Sequence, residues 1–219
     1  VGLDPHAGLL PKHLVENARK CCEGDLRVQM ADAALRFNRE IIAAVVDHAV
    51  AVKPQLALYE QWGAPGWRAY ESTVQTALEH DLLVIADAKR NDIGSSAEGY
   101  AAGFLGPCSG DADGGPGEAD AITVNPYLGS DGIEPFLQRW GRGKGVFALV
   151  RTSNSSATQI QDLNVDGKPL YTEVARLVDM WAWCSGWGHT PGSYPGAARI
   201  HAAHCLSATR LRSTRGAGR

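Results

Sequence analysis

The chain has 219 residues, 44% of them hydrophobic and 21% charged, with a net charge of −3. That composition suits one large folded domain, and its near-neutral balance gives no reason to expect a nucleic-acid partner. No apolar stretch approaches the length of a membrane span and no signal peptide is visible, so neither a membrane nor a secretory route is expected. In chain order, Val1-Gly2-Leu3 is a short apolar run ending in Asp4. Residues 31–47 put Leu35, Ile42, Val45 and Val46 on one helical stripe with charges elsewhere, which predicts an amphipathic helix. Ala49-Val50-Ala51-Val52 then ends in Lys53, and residues 68–80 read as a second helix.

The apolar run Leu82–Ala86 ends in Asp87, Lys89 and Asp92, within Asp87-Ala88-Lys89-Arg90-Asn91-Asp92. Strand residues two apart share a face, so Asp87 and Lys89 are expected to point the same way, with Asp92 just past the strand end. Two carboxylates flanking one ammonium keep that lysine charged and fix it in place. Taken alone, the pattern reads first as a structural ion pair capping a buried strand, and the polar residues ending the other apolar runs favour a site instead. Ser95-x-x-Glu98 has the form of a capping box and predicts a helix starting there. The stretch 106–119, rich in Gly, Pro and acids, predicts an exposed loop whose removal would cost little stability. Ala121-Ile122-Thr123-Val124 ends in Asn125, Val146–Val150 ends in Arg151-Thr152-Ser153, and Pro169 opens a helix over 169–179.

These strand ends lie 26 to 49 residues apart, the size of a strand–helix–strand unit. Near-continuous apolar strands point to a parallel sheet covered by helices. Polar residues at the C-terminal ends of such strands mark a (β/α) barrel active site. The expected fold is therefore α/β, a (β/α)8 TIM barrel. It is expected to be incomplete in this chain, with a truncated first strand (Val1 already lies inside it) and the last strands lost or scrambled. His6, His13, His48 and His80 show no ligand spacing and read as surface or helix-end residues. No paired-Cys zinc spacing, His-Glu-x-x-His or glycine fingerprint is present. Five cysteines, with Cys21 and Cys22 adjacent, suggest free thiols and a cytoplasmic location.

Gly2-Leu3-Asp4-Pro5, Lys53-Pro54-Gln55, Asp87–Gly94, Thr123–Gly129 and Arg151-Thr152-Ser153-Asn154 occur in this order. Together they resemble orotidine 5′-phosphate decarboxylases of the longer bacterial type, over residues 1 to about 179. The resemblance implies decarboxylation of orotidine 5′-phosphate to uridine 5′-phosphate in pyrimidine biosynthesis, without metal or organic cofactor. It implies that Lys89 delivers a proton to C6 of the pyrimidine as carbon dioxide leaves. Asp87 would stand beside the substrate carboxylate, and Lys53 would complete an alternating row of charges. Asp92 would reach into the neighbouring subunit's site, making the protein a homodimer, and Asp4 would hydrogen-bond the ribose. Ser153 would meet the pyrimidine ring; Asn125 would contact substrate or simply cap its strand end. Related sugar-phosphate lyases that use magnesium share Asp-x-Lys-x-x-Asp, and a catalytically inactive, truncated barrel is a further alternative.

The last forty residues break the pattern. Residues 1–179 hold 24 acids and 16 bases, net −8, whereas the remainder holds five arginines and no acid, lysine or valine. A basic nucleic-acid-binding arm and a disordered tail are two readings. Back-translation favours a third. Trp183–Pro191 begun one base later permits Gly-Val-Val-Val-Gly-Ala-Thr-His-Pro, which resembles the family's next strand. Ile200–Gly216 treated likewise permits Phe-Met-Pro-His, Leu-Val-Pro and Gly-Tyr-Gly-Ala, resembling its phosphate-gripping loop. The expected organisation is a barrel over 1–179 and an aberrant, frameshifted tail over 180–219, leaving the activity of this particular chain doubtful.

Overall fold

The computed structural model describes residues 1–107 and 115–182. The out-of-frame reading of the C-terminal stretch, with Cys184 and Cys205, and the middle of the 106–119 loop lie outside the described residues. In chain order the elements are β1 (Gly2–Leu3), α1 (Lys12–Cys21), α2 (Leu26–Val45), β2 (Ala51–Pro54), α3 (Ala57–Glu60), α4 (Ala64–Glu79) and β3 (Leu83–Arg90). Then come α5 (Gly94–Leu105), β4 (Ala121–Val124), α6 (Glu134–Leu137), β5 (Gly145–Ala148), β6 (Asn164–Val165), β7 (Lys168–Pro169) and α7 (Leu170–Ala182). Five strands form one sheet in the order β1-β2-β3-β4-β5, the same as their order in the chain. β1 pairs parallel to β2 and β2 parallel to β3, with Gly2 opposite Lys53 and Val52 opposite Val84. Each of the five expected apolar runs thus supplies a strand, and the helices between them make this an α/β barrel-type architecture.

The chain divides into two compact units, Val1–Ala88 with Gly103–Ile122, and Lys89–Ala102 with the residues from Thr123 onward. In the first, Leu3, Val52, Val84 and Ala86 are buried on the strands. Beside them an aromatic cluster packs edge to face, Tyr59 against Tyr70 and Trp67 against Tyr70, each at 5.8 Å between ring centres. Helix α2 begins at the cap residue Asp25, whose carboxylate accepts from the Arg27 and Val28 amides. Its buried face is Met30, Ala31, Ala33, Ala34, Asn38 and Ile42. That corrects the expected stripe, in which Leu35, Val45 and Val46 are only half-buried. The small alanines face inward because close helix packing needs short side chains there. Asn38 is fully buried and gives its amide hydrogens to the Tyr59 hydroxyl at 2.8 Å and to Thr73 Oγ1 at 3.1 Å. Burial pushes the Tyr59 hydroxyl's pKa far upward, so it stays neutral.

The 106–119 loop is not exposed at its ends. The Ala119 amide donates to the Phe104 carbonyl at 2.8 Å, the Tyr70 hydroxyl donates to the Gly117 carbonyl at 3.2 Å, and Gly106 and Ala119 are buried. The exposure expected from composition thus fails at the two ends of the segment, Gly106 and Ala119. The helix α1, the β6–β7 hairpin and the turn Asp166–Gly167 that closes it carry no signal used in the sequence reading; both turn residues have positive φ, 49° and 82°.

In the second unit, Arg139 is fully buried and both its terminal nitrogens bond Glu98 on α5, one of them at 2.8 Å; Nη1 also donates to the Pro135 carbonyl at 2.5 Å. The expected capping box is thus not formed: the helix begins at Gly94, Ser95 lies inside it, and the Glu98 carboxylate is committed to Arg139. A buried guanidinium needs a paired charge more than a helix end needs a cap.

A Cβ at Gly66 would lie 1.8 Å from the Tyr59 carbonyl oxygen, whereas one at Gly99 in α5 meets nothing within 4 Å. Gly66→Ala should lose about 3 kcal/mol in urea denaturation, and Gly99→Ala should gain about 0.5–1 kcal/mol. Arg139 holds the Glu98 carboxyl below the usual glutamate range, so this pairing stabilises the fold above the ordinary glutamate pKa and fades as pH falls through the lowered one. The melting-temperature gap between wild type and Glu98→Gln should accordingly be full at neutral pH and narrow on acidification; a gap independent of pH would refute the assignment.

Candidate active site

In the first unit, Asp87 anchors a charged cluster. It lies in β3 and is only 6% exposed. Its Oδ2 receives the Lys53 ammonium from β2, and the Gln55 side-chain amide at 3.1 Å. The sheet register explains the meeting. Gln55 bridges Asp87 across the two parallel strands, Lys53 stands two residues earlier on the same edge, and the Leu56 amide donates to the Asp87 carbonyl at 3.2 Å. A carboxylate so deeply buried is tolerable only when paired and hydrogen-bonded, and both conditions hold. Lys53 keeps about a third of its side chain open to solvent, 38%. The sequence signal for Gln55 is its spacing of two from Lys53 on a strand, which puts both on one face. Asp4 follows β1 and is exposed, and the Gln55 amide donates to the Leu3 carbonyl just before it at 3.2 Å.

In the second unit, Lys89 is exposed and has φ 49°, a left-handed conformation that non-glycine residues rarely adopt. Its amide donates to the Thr123 hydroxyl at 2.9 Å, and one residue on, the Arg90 carbonyl accepts from the Asn125 amide at 2.9 Å. Regular alternation therefore fails here: Ala86 and Asp87 are both buried and Lys89 leaves the extended conformation. The strand periodicity that would put Asp87 and Lys89 on one face assumes an extended φ throughout, and Lys89 departs from it. Asp92 is half-buried and its Oδ1 accepts from the Ile93 amide at 2.9 Å. Asn125 Oδ1 accepts from the Tyr127 amide at 3.0 Å, so it caps the short 3-10 turn Pro126–Leu128 at the strand end.

Ser153 is exposed and lines a cavity of about 580 Å³ with Arg151, Thr152, Asn154, Thr158 and Tyr171. Arg151 pairs with Asp162 at 3.0 Å, and the Thr152 amide donates to Gln161 Oε1 at 2.8 Å. Neither Gln161 nor Asp162 was singled out from sequence. Of the expected residues, Lys53 and Asp87 form an ion pair, Asn125 serves as a cap, and Lys89, Asp92 and Ser153 stand on locally pinned backbone. Among the described residues, no group of three His, Cys, Asp or Glu side chains is placed to hold a metal ion. His6, His13, His48 and His80 are all exposed.

Parallel strands in chain order with charged and amide side chains at their ends define an α/β barrel protein of the (β/α)8 type. The chain belongs to the Orotidine 5′-phosphate decarboxylase / HUMPS family, whose model matches residues 9–194. It is 44% identical over 179 residues to an orotidine 5′-phosphate decarboxylase of Rhodopirellula baltica, covering 81% of this chain and 57% of the relative. It is likewise 44% identical over 182 residues to one of Halorubrum lacusprofundi, covering 83% of this chain and 55% of the relative. The chain thus spans about half the length of the curated relatives it matches. Among solved structures, Leishmania donovani OMP decarboxylase superposes with a TM-score of 0.62 at 29% identity, covering 80% of this chain and 67% of that one. Leishmania donovani UMP synthase gives 0.63 at 30% identity, covering 79% and 37%.

The left-handed Lys89 generates a test. A lysine side chain costs about 1 kcal/mol at such a φ relative to glycine. Lys89→Gly should therefore melt higher than wild type while Lys89→Ala does not; equal melting of the two variants would show that the backbone there stores no strain.

Proposed function

We propose that this chain carries the lysine–aspartate part of a site that decarboxylates orotidine 5′-phosphate to uridine 5′-phosphate in pyrimidine biosynthesis. The observation that carries the reading is a nearly buried Asp87 carboxylate held by Lys53 and Gln55 across parallel strands. Family membership and five motifs in family order support it.

In this reading Asp87 stands against the substrate's carboxylate, and departure of carbon dioxide relieves like-charge repulsion between them. The bond from C6 to the carboxylate breaks and its electron pair stays on C6, in the ring plane, where no π-system can delocalise it. A fixed ammonium is the appropriate stabiliser for such a charge: Lys89 donates a proton from Nζ to C6 and regains one from solvent. Lys53 keeps Asp87 oriented. Asp4 reads the ribose, Ser153 the pyrimidine, and Asn125 the substrate only if its capping bond is shared. Asp92 serves the neighbouring subunit's site in a homodimer, with no nucleic-acid or membrane partner. The chemistry requires no metal or cofactor. Cys21 and Cys22 are free thiols, which suits a cytoplasmic enzyme. Among the described residues no helix is long and apolar enough to cross a membrane.

We assign residues 1–179 to the barrel and read residues 180–219 as out-of-frame sequence. The loss of acids and lysine after Asp179 and the two alternative-frame matches support that division. Remote phosphate binding supplies energy that assembles a reactive site, so a chain lacking that grip should turn over poorly. Single-turnover release of carbon dioxide from orotidine 5′-phosphate tests both statements. The chain continued in the alternative frame after residue 182 should be active without magnesium, and Lys89→Ala in it should abolish activity. The 219 residues as they stand should release little. Activity that needs magnesium and a sugar phosphate would favour the lyase alternative, and full activity of the unaltered chain would overturn the account of the tail.

A further inference from the structure

Two consecutive side chains, Gln161 and Asp162, grip two consecutive residues of the loop that presents Ser153. Gln161 Oε1 accepts from the Thr152 amide at 2.8 Å, and Gln161 Nε2 donates to the Thr152 hydroxyl at 2.8 Å. That hydroxyl in turn donates to Asn154 Oδ1 at 2.6 Å, so the same chain of bonds reaches across Ser153. Asp162 holds the Arg151 guanidinium through two contacts, Nε to Oδ1 at 3.0 Å and Nη2 to Oδ2 at 3.2 Å. Arg151 Nη1 donates to the Thr152 carbonyl at 2.7 Å, closing the loop on itself. Gln161 also fixes the other wall of the cavity: its carbonyl accepts from the amide of Tyr171, over whose ring the Arg151 guanidinium sits 6.0 Å from the centre. Ser153 itself is exposed and carries none of these bonds, so its hydroxyl is presented rather than consumed.

We infer that Gln161 and Asp162 are positioning residues that set the base selectivity of this cavity, by holding the Arg151–Asn154 loop in the one conformation that aims Ser153 at a pyrimidine. This rests on the reading of Ser153 as the residue that meets the base. A four-residue loop with an exposed serine has many conformers of similar energy; Gln161, bonding the Thr152 amide and hydroxyl, and Asp162, bonding the Arg151 guanidinium, select one of them. Discrimination between uracil and cytosine depends on whether a donor or an acceptor faces the loop, and a loop free to turn over offers either.

The measurement is the affinity of the chain for uridine 5′-monophosphate relative to cytidine 5′-monophosphate, by titration calorimetry, in wild type, Gln161→Leu, Asp162→Asn and Val178→Ala. Val178 is buried on α7 and lines no part of the cavity, so its truncation lowers stability without touching the clamp. Gln161→Leu should reduce the uridine preference by about tenfold, as expected for the loss of two loop-ordering hydrogen bonds, and Asp162→Asn by less. Gln161→Glu, which keeps the acceptor for the Thr152 amide, should recover part of the preference. Val178→Ala should leave the preference at the wild-type ratio. An unchanged ratio in Gln161→Leu, or the same fall in Val178→Ala, overturns the clamp. A wild-type chain with no uridine preference overturns the base-reading role of Ser153 instead, and the inference with it.

Discussion

The burial of one carboxylate governs the arrangement of everything around it. Asp87 is covered almost completely, and a charge in that position is stable only with a fixed cation and hydrogen-bond donors. Lys53 and Gln55 answer both needs from the neighbouring strand, and they can do so only in the register that places Gln55 beside Asp87. A slip of one residue would turn Lys53 to the opposite face of the sheet and leave the carboxylate unpaired. The pairing of β2 with β3 is thus tied to the chemistry of the site, and so is that of β1 with β2, through the Gln55 amide bonded to the Leu3 carbonyl.

A second design recurs in the other unit: polar side chains are spent on holding backbone, leaving the chemically useful groups on rigid supports. Thr123 fixes the Lys89 amide, the Asn125 side chain fixes the turn after β4, and Gln161 fixes Thr152. Each holder lies on or just beyond a strand, or on the short segment leading to α7. Arg139 extends the principle inward, since its buried guanidinium ties Glu98 of α5 to α6 and so steadies the helix that follows the Lys89–Asp92 stretch. Such a site tolerates an uncommon backbone angle at Lys89 because its neighbours over-determine it.

Much of the architecture was legible in the sequence because parallel strands buried on both faces must be continuously apolar, and their ends must become polar. All five strand ends were readable on that basis, the helices near 31–47, 68–80 and 169–179 from their own local patterns, and the family from the resemblance of its ordered motifs. The misreadings share one origin, since each concerned a residue whose behaviour is set by a distant partner. Glu98 looked like a cap because Ser95 precedes it by three, yet Arg139 forty-one positions away claims it. Leu35 looked like core, but alanines and Asn38 face inward. The 106–119 loop looked wholly solvated, but Phe104 and Tyr70 bind its far end.

What the sequence determined by itself was therefore the five strand ends and the charged residues on them, which follow from local composition and periodicity, and the family, which follows from the resemblance of five ordered motifs. The tertiary structure alone decided that Asp87 is buried against Lys53 and Gln55, that Lys89 leaves the strand conformation, and that Gln161 holds the Ser153 loop. Those depend on register and on contacts between segments far apart in the chain, where burial converts an ordinary polar side chain into a constraint on everything it touches.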